Sequence, residues 1–264
     1  MVTTGDAVSA VEVVPPDERR VCQLILNRPE RANAMGPALV EPMLACLETA
    51  AVDGTRILVL RGTGSNFCAG FDLSGYEVES DGDLSLRFIR IEQVFQLLSS
   101  APFLSIACVN GAAYGAGADL VAACDYRIGV GSSRFRFPGY RFGVALGTRR
   151  LAAITGAAVA QDILISGRVI RDDEAMACGL LTHVLDADAA DSEIDRLSKE
   201  MTALDDLSVR TLVTNTRRPF GDADHDLAML ARSVARPGLR ERLGQYAEAA
   251  RQEKSRHAKT SEKY

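Results

Sequence analysis

Apolar and polar positions along this chain fall into short buried runs separated by amphipathic helical stretches. Glu12–Val14 and Val21–Leu26 read as two strands split by the turn signal Pro15-Pro16-Asp17. Pro37 suits the first turn of a helix reaching to about Val52, and Ile57–Leu60 is a short buried strand. Across Leu84–Leu98 the spacing is helical, with Phe88, Ile91, Val94, Phe95 and Leu98 on one face. Ser105–Val109 predicts another buried strand, Asn110–Gly115 a glycine-rich turn, and the run from Ala116 a helix of small residues. Tyr126–Val130 and Arg134–Phe137 read as two further strands, and Thr148–Ile154, Val159–Leu164 and Asp172–Cys178 as helices. Gly179 stops the last of these before a strand at Leu181–Leu185. From about Asp188 the pattern is helical, ending in the charged tail Arg251–Tyr264, while Met1–Val8 reads as a loose polar lead. Strands alternating with helices argue an α/β architecture with a helical layer in the last third.

Composition narrows the function classes. The 264 residues are 47% hydrophobic and 25% charged, ordinary for a globular protein, with a formal net charge of −5. That charge argues against a general nucleic-acid binder. Cys22, Cys46, Cys68, Cys108, Cys124 and Cys178 are scattered through mostly apolar runs without a CxxC pair, the usage of buried thiols in a reducing compartment. His183, His225 and His257 have no metal-ligand spacing. No signal peptide or membrane-length apolar run is visible, so a cytoplasmic protein is expected.

The chain's chemistry concentrates in Ser105–Asp125, SIACVNGAAYGAGADLVAACD. Gly111, Gly115 and Gly117 let the backbone bend and a ligand come close. The first N–H groups of the following helix are unpaired internally and favour negative charge, bound or developing. Asp119 lies in the first turn of that helix. A tight structural turn with a favourable helix-start acid explains the stretch about as well. The other glycine-rich loop, Gly62–Gly75, carries Phe67 where a dinucleotide fingerprint needs glycine; no P-loop and no GxSxG occur. What remains is a pair of strand-to-loop junctions, Phe67–Leu73 and Ala113–Leu120, each able to offer a backbone N–H. Two such donors are what an acyl oxyanion requires.

Four segments, NRPERANAM (Asn27–Met35), GTGSNFCAGFDL (Gly62–Leu73), NGAAYGAGADLVAACDYRI (Asn110–Ile128) and LISGRVIRDDEAMACGLLTHVL (Leu164–Leu185), resemble in order and spacing the enoyl-CoA hydratase/isomerase, or crotonase, family. The resemblance implies an α/β crotonase-like fold of repeated ββα units over residues 1–190. It also implies a C-terminal helical region, 191–264, that drives trimers or hexamers and completes the acyl-CoA site. The implied ligand is an acyl-CoA thioester, with coenzyme A as part of the substrate, no permanently bound cofactor and no metal. By motif, Phe71 and Ala116 are the implied oxyanion donors, Ala116 standing where many relatives have glycine. Arg31, Ala32 and Ala34 match the segment lining coenzyme A, and Ala69, Asp72 and Leu73 the channel wall. For Asp72 a loop-capping role is an equal alternative.

The sequence also departs from the family pattern. Hydratases of the family use two glutamates; here the first position is Asp119, as in the dienoyl-CoA isomerase branch. The second aligns with Gly139 in Phe137-Pro138-Gly139-Tyr140, and the segment Phe142–Thr148 is about three residues short and carries no acid. Adding water across a double bond asks for a base and an acid, whereas one carboxylate suffices to remove and return a proton. The helix start favours an ionised Asp119 and burial opposes it. Tyr140 and Tyr114 are substitute proton donors or, more simply, aromatic lining of an acyl pocket; Arg141 faces a substrate carboxylate or solvent. The leading expectation is therefore hydration or double-bond isomerisation of an enoyl-CoA with Asp119 as the single acid/base. The alternative is an acyl-CoA-binding protein that keeps the fold without turnover. The stripe Leu227, Leu230 and Val234 reads as a core or subunit face, and Arg251, Lys254, Arg256 and Lys259 as a solvated tail or a reach toward coenzyme A phosphates.

Overall fold

The computed structural model describes residues 9–217 and 223–261. The side chains of Lys254, Arg256, His257 and Lys259, and the segment Met1–Val8, lie outside what is described. Among the described residues seven strands form one sheet: β1 (Val11–Val14), β2 (Val21–Leu26), β3 (Ile57–Gly62), β4 (Leu104–Tyr114), β5 (Tyr126–Arg136), β6 (Ile170–Arg171) and β7 (His183–Leu185). They are ordered β1-β2-β3-β4-β5-β6, with β7 also on β5. The β2-β3-β4-β5 centre is parallel, and β1 and β6 close it antiparallel on either side. Parallel neighbours need crossovers. Here α1 (Pro37–Ala50) links β2 to β3, α2 (Asp81–Ser100) links β3 to β4, and α3 (Ala116–Ala122) links β4 to β5. The repeated strand–strand–helix plan that the resemblance implies is present.

Both faces of the sheet are covered, which is why β3 reads as a continuous apolar run. One face meets α1, α2 and α3 through Leu24, Leu58, Leu60, Ala107 and Val109, against which the predicted α2 stripe Phe88, Ile91, Val94, Phe95 and Leu98 is fully buried. The other face meets α7 (Ala187–Met201) and α8 (Asp206–Thr216) through Ile57, Val59, Ile106 and Ile128. The connecting helices α4 (Thr148–Thr155), α5 (Ala157–Ser166) and α6 (Asp172–Ala177) follow β5. Next to the C-terminus, α9 (Ala223–Val234) and α10 (Leu239–Ser261) return over α2, with Leu230 and Val234 in the core. The apolar stripe of α9 is thus a core face.

The sequence reading misses the short strand β6 and shifts several element ends by two or three residues, and it differs most at β4 and β5. Asn110–Gly115 is not a free turn: β4 continues to Tyr114 because Ala112, Ala113 and Tyr114 pair with Arg134, Phe135 and Arg136 after a register shift between Asn110 and Ala112. The same pairing fuses the two predicted strands after Asp125 into the single long β5. A glycine inside a strand often marks such an irregularity. Gly111 has φ +61, and a Cβ there would lie 1.9 Å from Ser65 O.

Candidate active site

The site is built where two loops meet the end of β4. The Gly62–Gly75 loop is drawn into the sheet edge by Phe67 N–H to Asn110 O (2.7 Å), Cys68 N–H to Ala112 O (3.1 Å) and Tyr114 N–H to Cys68 O (2.9 Å). Contact is so close that only glycine fits at two points. A Cβ on Gly70 would sit 2.4 Å from Tyr114 O and 3.2 Å from Ala116 N; one on Gly117 would sit 2.3 Å from Cys68 O. Gly70 therefore brings the peptide before Phe71 against the start of α3. Neither Phe71 N–H nor Ala116 N–H donates to a backbone acceptor among the described residues, although their neighbours are paired: Asp72 N–H to Met35 O and Gly115 N–H to Arg136 O.

The third loop is Asn27–Met35. Ala32 (φ 48) and Asn33 (φ 54) are left-handed, and Asn33 explains why the chain tolerates it. Its fully buried amide accepts from Arg28 N–H (2.8 Å) and donates to Thr63 O (3.0 Å) and Asn66 O (2.9 Å), tying this loop to the next. Sequence reasoning missed Asn33; the isolated asparagine between two alanines was the available signal. Ala69 N–H to Ala32 O (2.8 Å) and Met35 N–H to Gly70 O (2.7 Å) complete the junction. Arg31 and Ala69 are exposed at its mouth, Ala32 and Leu73 half-buried and Ala34 buried. Arg31 reaches Ser74 Oγ (3.1 Å), and Asp72 is buried against Arg28 (3.0 Å) while accepting from Ser74 N–H (2.9 Å). Burial opposes the charge on Asp72, but Ser74 and Arg28 together hold its carboxyl below the usual range. Asp72 is thus a loop-capping, ion-paired carboxylate. The Phe71 ring stacks on Phe88 at 4.2 Å, with the Arg87 guanidinium 4.3 Å from its centre on the other contact.

Asp119 is on the buried side of α3, only 4% exposed, and its Oδ1 has no hydrogen-bond partner among the described residues. Gly147, at φ +65, is packed on it: a Cβ at Gly147 would lie 1.9 Å from Oδ1. Burial pushes the Asp119 carboxyl well above the ordinary carboxylate range; Arg150 opposes the shift and Glu92 adds to it. Burial, rather than the helix start, dominates the shift. Glu92 and Arg150 form a buried bidentate pair, Nη1 to Oε1 at 2.8 Å and Nη2 to Oε2 at 2.5 Å. The sequence reading missed both. The available signal was Glu92 standing four residues after Phe88 and three before Phe95, on the apolar stripe of α2.

At Gly139, which the resemblance aligns with the family's second acid, a side chain has no room, since a Cβ there would be 2.7 Å from Val144 O. Val144 of the Phe142–Thr148 segment occupies that space, held by Val144 N–H to Gly139 O (2.9 Å). Tyr140 is half-exposed with its hydroxyl 3.0 Å from Thr148 Oγ1, so it pairs with Thr148 and not with Asp119. It stands between an outer cavity of about 440 Å³ and an inner one of about 130 Å³ that Glu92, Gly147 and His225 also line. Arg141 bonds the Ser166 carbonyl. Tyr114 joins the site through its backbone. Among the described residues no group of three or more His, Cys, Asp or Glu is placed to hold a metal, and no helix is long and apolar enough to cross a membrane.

Known proteins resemble most of this chain. The sequence profile described as Enoyl-CoA hydratase/isomerase matches residues 17–236. A Mycobacterium tuberculosis protein named "Probable enoyl-CoA hydratase echA6" is 33% identical over 184 residues, covering 67% of this chain and 74% of the relative. A candidate enoyl-CoA hydratase/isomerase from Bordetella parapertussis superposes with a TM-score of 0.86 at 38% identity, over 90% of this chain and 98% of the other. The enoyl-CoA hydratase of Mycobacterium smegmatis superposes with a TM-score of 0.74 at 28% identity, over 91% and 96%. The fold is crotonase-like, and the chain belongs to the enoyl-CoA hydratase/isomerase family.

Proposed function

We propose that this enzyme binds an acyl-CoA thioester with its carbonyl oxygen between the N–H groups of Phe71 and Ala116, and that Asp119 is the single acid/base. One observation carries the reading. Two backbone donors without an acceptor among the described residues lie on strand-end loops held together by Gly70, and a buried carboxylate lies in the first turn of the same helix as the second donor. The donors stabilise the enolate oxygen, each typically contributing on the order of 3 kcal/mol in the transition state. Asp119, whose charged form burial disfavours and so makes more basic, is the group that removes a proton from the carbon α or γ to the thioester and, now protonated, returns it to the other end of the resulting dienolate. That sequence migrates a double bond, and with water as nucleophile it hydrates one less readily. Arg31, Ala32, Ala34, Ala69, Asp72 and Leu73 are proposed to wall the coenzyme A channel, and Tyr114 and Tyr140 to border the acyl group, Tyr140 as a second proton donor. Residues 191–264 are proposed to drive a homotrimer or dimer of trimers and to complete the site on the 1–190 core.

The closed contact of Gly147 on Asp119 favours a second reading, an acyl-CoA-binding protein without turnover. A panel of 2-enoyl-, 3-enoyl- and dienoyl-CoA thioesters in deuterated solvent separates the two. Label at the α or γ carbon with wild type, lost in Asp119→Asn, supports acid/base chemistry. Tight acyl-CoA binding with no turnover and no label in either protein establishes the binding reading.

A further inference from the structure

We propose that Glu92 is a positioning residue for Asp119: by engaging both terminal nitrogens of Arg150 it holds that cation off the Asp119 carboxylate, leaving the carboxylate free to exchange a proton. The inference rests on the acid/base reading of Asp119 given above.

The argument starts from an imbalance inside one buried cluster. Glu92 lies on the apolar face of α2 at 1% exposure, and Arg150 enters from the first turn of α4 at 3%. The guanidinium lies 5.2 Å from the centre of the Phe95 ring, and both of its terminal nitrogens go to Glu92. Arg150 Nε is left without a partner, and so is Asp119 Oδ1. A buried donor and a buried acceptor each left without a partner are costly. A cluster arranged only to satisfy its polar groups would share Arg150 between the two acids.

The elements packed on α3 are α2, α4, β4 and β5. Two charges from them reach Asp119: Glu92 of α2 and Arg150 of α4. On α3 itself Asp119 is the only charged residue. Beyond the cluster, Arg149 pairs with Asp226 at 3.5 Å, and Asp226 also acts on Arg150. With Glu92 and Arg150 paired, their fields at Asp119 oppose each other and burial dominates. Without Glu92, Arg150 is an uncompensated buried cation beside an unpartnered carboxylate, and Coulomb attraction draws them together. An ion pair too far from Asp119 to act on it would change stability on mutation and leave the Asp119 titration where it is.

The test is a ¹³C NMR titration of protein labelled at the aspartate carboxyl carbon, with Asp119→Asn assigning the resonance. In Glu92→Gln the Asp119 midpoint is expected to fall by about one pH unit or more relative to wild type. In Glu92→Gln with Arg150→Met, which removes the cation as well, it is expected to return to the wild-type value or above. Should Glu92→Gln fail to fold, Glu92→Asp, which keeps the charge but shortens its reach, is expected to lower the midpoint by a smaller amount. An unmoved midpoint in whichever folded Glu92 variant is measured overturns the proposal, as does a double variant that tracks the single one. The thioester panel is run on the same proteins. Turnover with an unmoved midpoint removes this inference alone; a shifted midpoint with no turnover removes the acid/base reading and leaves the coupling of Glu92 to Asp119 standing.

Discussion

Gly147 lies directly on the carboxylate of Asp119, so closely that a methyl group there would come within 1.9 Å of Oδ1. With φ at +65 the position is also one that L side chains rarely adopt. Gly147→Ala therefore meets two penalties at once, a left-handed backbone costing about 1–3 kcal/mol and displacement of the proposed acid. The expected outcome is a lowered melting temperature together with at least a tenfold fall in turnover, checked by calorimetry and by the thioester panel. Gly131, also at positive φ but with nothing within 4 Å of its added Cβ, is the control: Gly131→Ala should cost stability and leave turnover alone.

The buried, unpartnered Asp119 also sets a pH dependence of stability. Its carboxyl is held well above its unfolded value, so between the two values the folded protein binds more protons than the unfolded chain. Stability from this group is then fully present below the unfolded pKa and lost as pH rises toward the folded one. Asp119→Asn removes the loss. Its melting temperature relative to wild type should rise from about pH 4 to neutrality, the reverse of what removing a salt-bridged carboxylate does. A pair of melting curves that run parallel across that window would contradict the burial of a protonatable Asp119.

By the resemblance, Gly139 aligns with the second acid of the family's hydratases, and introducing a glutamate there is the obvious experiment. The structure predicts that it fails. A Cβ at Gly139 would be 2.7 Å from the backbone oxygen of Val144, in a turn closed by the Val144 N–H to Gly139 O bond. Gly139→Glu should lower stability by about 1–3 kcal/mol through overpacking without raising the rate of water addition to a 2-enoyl-CoA. Lengthening the Phe142–Thr148 segment by about three residues in the same protein is the combination expected to make room.

The residues explain how far a sequence carries. Periodicity located the sheet and the buried face of α2, since burial on both sides leaves no freedom in those patterns. The glycines of the two loops marked their meeting point, because Gly70 and Gly117 lie where another backbone passes. The course of β4 through Gly111 was not legible: a glycine signals a bend equally well in a turn and in an irregular strand, and only pairing with β5 decides. The Glu92–Arg150 pair is hidden for a different reason. Its partners are far apart in sequence on separate helices, and each alone resembles a solvated charge. The raised carboxyl of Asp119 depends on that packing and on Gly147 lying over it, neither of which a single strand-turn-helix motif contains.

The last prediction separates backbone from side chain at the proposed oxyanion donors. Phe71 contributes its N–H whatever its side chain, whereas the ring stacks on Phe88 at 4.2 Å beneath Arg87. Phe71→Ala should therefore lower stability by about 1–3 kcal/mol while kcat/KM for the best thioester falls less than tenfold. Gly70→Ala should do the opposite in kind. Its φ of +91 and the 2.4 Å approach of its added Cβ to Tyr114 O mean that the two loops must separate. The N–H of Phe71 then moves away from that of Ala116, and loss of one donor is expected to cost about 10²-fold in kcat. Binding of a saturated acyl-CoA should weaken much less, since the donors matter most to a developing negative charge. If both variants lose kcat equally, the Phe71 ring rather than its backbone is what the substrate uses, and the donor assignment at Phe71 fails.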